Sequence, residues 1–371
     1  MTETARPSFR KASPIKVVLT MLLSAIAGAA MSHMAMKVPG IRHVLSTLHL
    51  WDIPVFMLLV MLVLGVHELG HLLGGFSRGM KFLLFIVGPF QWMQTPDGIR
   101  FSLVFNLGGF AGMAAAMPNP DKQFAPQLKR LMAGGPVASL ILAAVGLLAG
   151  FFLEGKPAVY LCFTGGFSFL IFLLTAIPFR AGGFMSDGMQ FIEIMRGGRA
   201  VEERQSIITL MHQSMAGIRP RDLDQALVER ILGYESLDPM RQVIARYYAY
   251  ISAFDRGEFE RARQYIEWIA DHIEQYPQGF RQSMTLEICL HHALHGRLEE
   301  ARHWMHRSSG GLADKSRRAL VEAELALLEN NKKLALEALA KARKLSRRNY
   351  DNGLRLMTEV QISLAEDKAR I

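Results

Sequence analysis

Ile53-Pro-Val-Phe-Met-Leu-Leu-Val-Met-Leu-Val-Leu-Gly-Val66 runs without a charge straight into His67-Glu68-Leu69-Gly70-His71, and Leu72 to Phe76 restores the apolar run. About 20 apolar residues are enough to cross the hydrocarbon core of a bilayer as a helix. On that helix two histidines four residues apart share a face, the spacing at which two imidazoles can hold one Zn²⁺. The glutamate between them can serve as general base toward an attacking water. Soluble metalloproteases place such a motif on an amphipathic helix. Here it completes an apolar span, where ionisable side chains are costly and functional by default.

Working outward from the motif, the 371 residues divide by composition. Half of the chain is hydrophobic and its mean hydropathy is positive, but the apolar excess ends near Gly197, after which charged residues and alanine take over. Three further apolar segments reach spanning length: Val17–Met36, Leu131–Phe152 and Pro157–Phe179. Basic residues orient the four spans. Arg6, Arg10, Lys11 and Lys16 hold the N-terminus inside, so the first span exits and the HELGH span returns. Arg78, Lys81, Lys122, Lys129, Arg130 and Arg180 then all fall on the cytoplasmic side, with Arg42 and Lys156 outside. The run Val17–Met36 has the basic flank of a signal peptide, but it is long and offers no convincing A-x-A cleavage site, so it reads as a retained helix. The expected setting is a multi-pass protein of a bacterial cell membrane with its C-terminal half in the cytoplasm. Two cysteines, Cys162 and Cys289, allow neither a disulfide framework nor a zinc finger. The net charge of +9 lies largely at the two ends and has no nucleic-acid motif behind it.

Between the second and third spans, Phe82–Val87 and Ile99–Phe105 are strand-like runs around Thr95-Pro96-Asp97-Gly98, a turn in which Pro fixes φ and Gly supplies a positive φ. This predicts a β-hairpin at the membrane surface. The rival reading makes Phe101–Met117 a fifth span and moves Lys122–Arg130 outside. Beyond Gly198 the pattern becomes amphipathic helices. Gly257 precedes Ala262 by five residues, Gly296 precedes Ala301 likewise, and Asn330 and Ala335 repeat the spacing at intervals of about 39 and 34 residues. That is near the helix–turn–helix period of tetratricopeptide repeats. The fold class expected is mainly α: a polytopic helix bundle with one membrane-associated β-hairpin, plus a cytoplasmic helical-repeat domain. Residues 1–50 form the N-terminal tail, first span and external loop, 51–198 the zinc core, and 199–371 the repeat domain.

Two histidines leave zinc short of the three protein ligands usual at a catalytic site. Glu154 lies at the wrong end of its span, His33 is on the first helix, and Asp97 belongs to the hairpin turn. Asp187 follows the fourth span after Pro178, Gly182 and Gly183, where the backbone can fold back toward a buried site or form an ordinary Asp-Gly loop. His291, His292 and His295 crowd one helix but show no third-ligand pattern.

HExxH within a span, Gly134-Gly135-Pro136 at a later span, and Pro178 followed by Asp187-Gly188 resemble the site-2 proteases, intramembrane zinc metalloproteases that cut membrane-bound substrates. The resemblance covers roughly Ile53–Gln190. It implies that Asp187 is the third ligand to one Zn²⁺ per chain, that Glu68 is the catalytic base, and that Gly135, Pro136, Ser139 and Thr175 position substrate. It also implies that the hairpin guides the substrate as an extended strand. Where the family often has asparagines this chain has Ser139 and Thr175, which can hydrogen-bond without an amide's paired donor and acceptor. Implied partners are a membrane-protein substrate, the lipid bilayer, and a protein regulator or substrate on the helical repeats, which present surface rather than reactive groups. The function expected is regulated intramembrane proteolysis. The competing readings are an inactive membrane-anchored repeat scaffold and a zinc-dependent transporter, the latter disfavoured by third and fourth spans with few polar residues.

Overall fold

The structure is a computed structural model that describes residues 48–104, 112–181, 184–234, 238–276, 278–308 and 314–370. The first expected span, Val17–Met36, and His33 lie outside the described residues. Three helices are long and apolar enough to cross a membrane: α1 (Asp52–Phe76), α2 (Phe124–Phe151) and α3 (Gly155–Ala176). Glycine sets how closely they approach. A Cβ on Gly70 would fall 2.4 Å from the Gly134 carbonyl oxygen, and one on Gly74 would fall 2.1 Å from that of Arg130. α1 and α2 therefore touch backbone to backbone, the packing that small residues permit where no hydrophobic drive exists between helices. Gly146 and Gly165 do the same between α2 and α3. Leu58, Leu73, Ile141 and Leu148 point outward, as lipid-facing side chains must. At the end of α1 away from the histidines, Asp52 accepts hydrogen bonds from Lys156 Nζ at 2.9 and 3.0 Å and from the Tyr160 hydroxyl, tying α1 to α3.

The segment after α1 is a four-stranded antiparallel sheet in place of a single hairpin. Its strands are β1 (Lys81–Val87), β2 (Phe90–Thr95), β3 (Gly98–Leu103) and β4 (Gly112–Met117), in the order β3-β2-β1-β4. The expected turn exists: Thr95 Oγ1 donates to the Gly98 carbonyl at 2.7 Å and Gly98 has φ +113°. It joins β2 to β3, however, and Phe82–Val87 pairs with β2 and β4. β2 escaped notice because Gln91 and Gln94 interrupt its apolar pattern, whereas in the sheet Trp92 packs between Phe85 and Phe101, ring centroids 5.6 and 5.2 Å away. The described parts of the alternative fifth span, Phe101–Leu103 and Gly112–Met117, are strands. β1 also runs back along α1. Met80 lies against Gly75, Val87 against Gly65, and a Cβ on Gly88 would meet Met61. From Gly75 to Met61 is roughly 20 Å of helix axis.

After α3 come a two-strand ladder, β5 (Arg180–Ala181) with β6 (Phe184–Met185), and then helices: α4 (Asp187–Arg196), α5 (Arg199–Met215), α6 (Gln225–Leu232), α7 (Pro239–Asp255), α8 (Phe259–His272), α9 (Gln278–Leu294), α10 (Leu298–Arg307), α11 (Lys315–Leu328), α12 (Lys332–Ser346) and α13 (Asn352–Arg370). The pairs α7/α8, α9/α10 and α11/α12 turn at Gly257, Gly296 and Asn330, with φ of +80°, +71° and +57°. Ala262, Ala301 and Ala335 are fully buried, each where a pair closes. Tyr250, Ile251, Ile266 and Ile269 form one core, and Leu286, Leu290, Leu320 and Leu339 a second. α13 returns to the start of the array, where Ser214 Oγ donates to Asp351 at 2.6 Å.

Candidate metal centre

His67 and His71 are buried where α1 crosses α2, 5% and 7% exposed. His71 Nδ1 donates to the Leu131 carbonyl at 2.7 Å, and His67 Nδ1 lies 2.9 Å from Ser139 Oγ, both partners on α2. A carbonyl can only accept, so Nδ1 of His71 carries the proton and Nε2 of the neutral ring presents its lone pair. The two Nε2 atoms are 3.3 Å apart, and Asp187 Oδ2 is 3.3 Å from each. An equilateral triangle of that edge is the face of a tetrahedron whose centre lies about 2.0 Å from every corner, the Zn–N and Zn–O bond length. The residues therefore fit a zinc ion with one open position. Space for it is provided by Gly135, since a Cβ there would lie 2.3 Å from His71 Nε2 and 2.8 Å from His67 Cε1. Among the described residues, His67, His71 and Asp187 are the one group of His, Cys, Asp or Glu placed to hold a metal.

Asp187 reaches the histidines because the chain reverses after α3. Ser186 fixes the reversal: its Oγ accepts from the amides of Phe179 and Met189 and donates to the Ile177 carbonyl at 2.8 Å. It thus caps α4, whose first residue is Asp187. Gly188 then presses on α3, where a Cβ would lie 1.9 Å from the Ala176 carbonyl oxygen. The Asp-Gly pair thus combines a ligand with the one residue that lets its helix come this close. Glu68, on the same turn of α1, meets β4: Gly112 leaves room for its side chain, since a Cβ there would lie 3.0 Å from its Cγ and Oε1.

The model of Peptidase family M50 matches residues 55–325 of the 371. The chain belongs to Peptidase family M50. Comparison with curated proteins and with solved structures returns no match. The match to this M50 peptidase takes in His67, Glu68, His71 and Asp187 and continues beyond the membrane helices to residue 325, well past Gln190, where the motif resemblance stopped.

The remaining sequence candidates divide by position. Gly135 and Ser139 lie against the histidines, and Pro136 is buried beside them in α2, where its missing N–H leaves the Met132 carbonyl without a ladder partner. Thr175 Oγ1 donates within α3 to the Ile171 carbonyl at 2.9 Å, and no hydrogen bond joins it to the histidines among the described residues. Asp97 is in the β2–β3 turn, Glu154 caps the far end of α3, and His291 and His292 on α9, with His295 in the turn after it, lie away from the centre. The Leu131 carbonyl carried no sequence signal, being a backbone group brought in by another element. Gly188 was visible, but as part of a turn.

Proposed function

We propose that this M50 peptidase is a zinc metalloendopeptidase that hydrolyses peptide bonds of membrane-bound protein substrates in regulated intramembrane proteolysis. The observation that carries the reading is the 3.3 Å triangle of His67, His71 and Asp187 donor atoms beside Glu68, on a helix apolar enough to span a membrane. When bound, zinc supplies the positive charge that acidifies a water and polarises the scissile carbonyl. His67, His71 and Asp187 hold it. Glu68 takes the proton from the attacking water and delivers it to the departing amide nitrogen, so the carboxylate ends as it began. It faces β4, the edge of the sheet, across Gly112. A substrate segment added along that edge would be held extended at the base, with its backbone groups satisfied as membrane depth requires. Pro136 and Thr175 remain candidates for contacts along it. The helix pairs of the second half, tetratricopeptide-like in their turns at Gly257, Gly296 and Asn330, would recognise a protein, either substrate or regulator.

The test is Glu68→Gln in purified full-length protein. Zinc content should match wild type while cleavage falls by about 10²–10⁴-fold, and cells carrying the variant should accumulate an uncut membrane protein, which also identifies the substrate. Undiminished processing by the Gln variant, or a wild-type protein that does not bind zinc, would sink the proposal.

A further inference from the structure

Glu193 lies on α4, roughly 9 Å along the helix axis from Asp187, and three arginines converge on its carboxylate. Arg241 Nη2 donates to both oxygens at 2.7 and 2.8 Å, Arg204 Nη2 lies at 3.4 Å and Arg180 Nη2 at 3.3 Å. Arg180 comes from β5, Arg204 from α5 and Arg241 from α7, so one carboxylate joins the ligand-bearing helix to two helices of the second half. Arg241 also holds Glu203 and Asp238, each at 3.0 Å, and the Ala200 carbonyl at 3.1 Å. The side chains of Arg241, Glu193 and Glu203 are 8%, 10% and 4% exposed, so the charges satisfy one another with little help from water. The clamp spans Gly197 and Gly198, both at positive φ, the one joint between α4 and α5. A second tie lies close by: His212 Nε2 on α5 donates at 2.6 Å to the carbonyl of Pro118, just after β4, the strand that covers Glu68.

α4 is a short rigid rod with the metal ligand at one end and the clamp near the other. Buried ion pairs of this kind are poor sources of stability but strong specifiers of a single arrangement, because breaking one strands a charge. We propose that Arg241 and Glu193 are positioning residues for the metal centre: the helical half, through this clamp, sets where α4 presents Asp187. Zinc affinity then depends on the docking of the helical half, and by reciprocity zinc tightens that docking. The inference rests on the zinc reading of His67, His71 and Asp187.

The experiment measures zinc affinity of the full-length protein in detergent by competition with a chelator. It is paired with amide hydrogen exchange in α7, with and without zinc. Arg241→Gln is expected to weaken zinc by about tenfold and to abolish the slowing of α7 exchange that zinc produces in wild type. Arg241→Lys, which keeps the charge without the two-oxygen contact, should fold and fall between the two. Arg317→Gln is the control. It breaks another buried pair, Arg317–Glu287, on helices remote from α4, and should lower thermal stability while leaving zinc affinity unchanged. Wild-type affinity in both folded Arg241 variants overturns the proposal, as does an equal loss in Arg317→Gln, which would make the effect general destabilisation. A wild-type protein without zinc binding overturns the metal reading itself, and the clamp proposal with it.

Discussion

Ser139 offers His67 a single hydroxyl, and that hydroxyl is fully buried and 2.9 Å from Nδ1. Its own carbonyl accepts from Ser168 Oγ at 2.8 Å, so α3 steadies the serine that steadies the histidine. Outer partners of this kind fix ring orientation and tautomer, and losing one typically lowers metal affinity by about 10–100-fold. Ser139→Ala should show that loss in a chelator competition, and Ser139→Thr should recover most of it. Unchanged affinity in Ser139→Ala would leave the serine to packing or to substrate. A second residue makes a pH prediction. His291 is 1% exposed, and both ring nitrogens lack hydrogen-bond partners. Burial, followed by His295, His292, Arg297 and Arg263, depresses it to about 3. The unfolded chain binds a proton below its ordinary value of about 6.5 while the fold refuses it down to about 3, so stability falls as pH drops through that window and is unaffected above it. His291→Leu should therefore remove about 2 kcal/mol of the loss between pH 7 and pH 5, read as a smaller fall in midpoint denaturant concentration. At this scale legibility followed chemistry. His67, Glu68 and His71 announce themselves because their spacing is local. Asp187 needed the family pattern, being more than a hundred residues away.

Elements were legible where their signal was continuous and obscure where a neighbour completed them. Apolar length located α1, α2 and α3, but α2 begins at Phe124, seven residues before the expected Leu131, because the helix continues through Lys129 and Arg130 at its wet end. Charge marks where lipid stops, not where hydrogen bonding stops. The sheet was half seen: Thr95–Gly98 is a turn, but β2 and β4 carry too little alternation to stand out, and β4, Gly-Met-Ala-Ala-Ala-Met, reads equally as helix. Its pairing with β1 and its seat on α1 decide the matter. The element most sensitive to one atom is α4. Gly188→Ala places a methyl where the Ala176 carbonyl stands, 1.9 Å away, and backbone cannot yield as a side chain would. α4 should be displaced, carrying Asp187 with it, so this variant should lose zinc about as completely as Asp187→Ala although every ligand is intact. Full zinc occupancy in Gly188→Ala would mean that α4 is less tightly seated on α3 than the contact requires.

At the scale of the whole molecule, the arrangement has one wet end and one far end. Glu154, Gly155 and Lys156 turn α2 into α3 beside Asp52, whereas Arg78, Lys81, Lys122, Lys129, Arg130 and Arg180 gather at the opposite ends of the three helices, next to the helical half. The helical half also contacts that end directly, since the His212 side chain reaches the Pro118 carbonyl. The basic end is thus the end at which the helical half is attached, and the positive-inside rule predicts that both face the cytoplasm. Single cysteines introduced in a background lacking Cys162 and Cys289 would test it. Lys156 is a poor reporter, being engaged with Asp52, so Glu154→Cys, which is exposed, should replace it. An impermeant thiol reagent should label Glu154→Cys in intact cells and label Lys122→Cys only after permeabilisation. Labelling of Lys122→Cys in intact cells would reverse the orientation, and with it the compartment in which the helical half finds its partner.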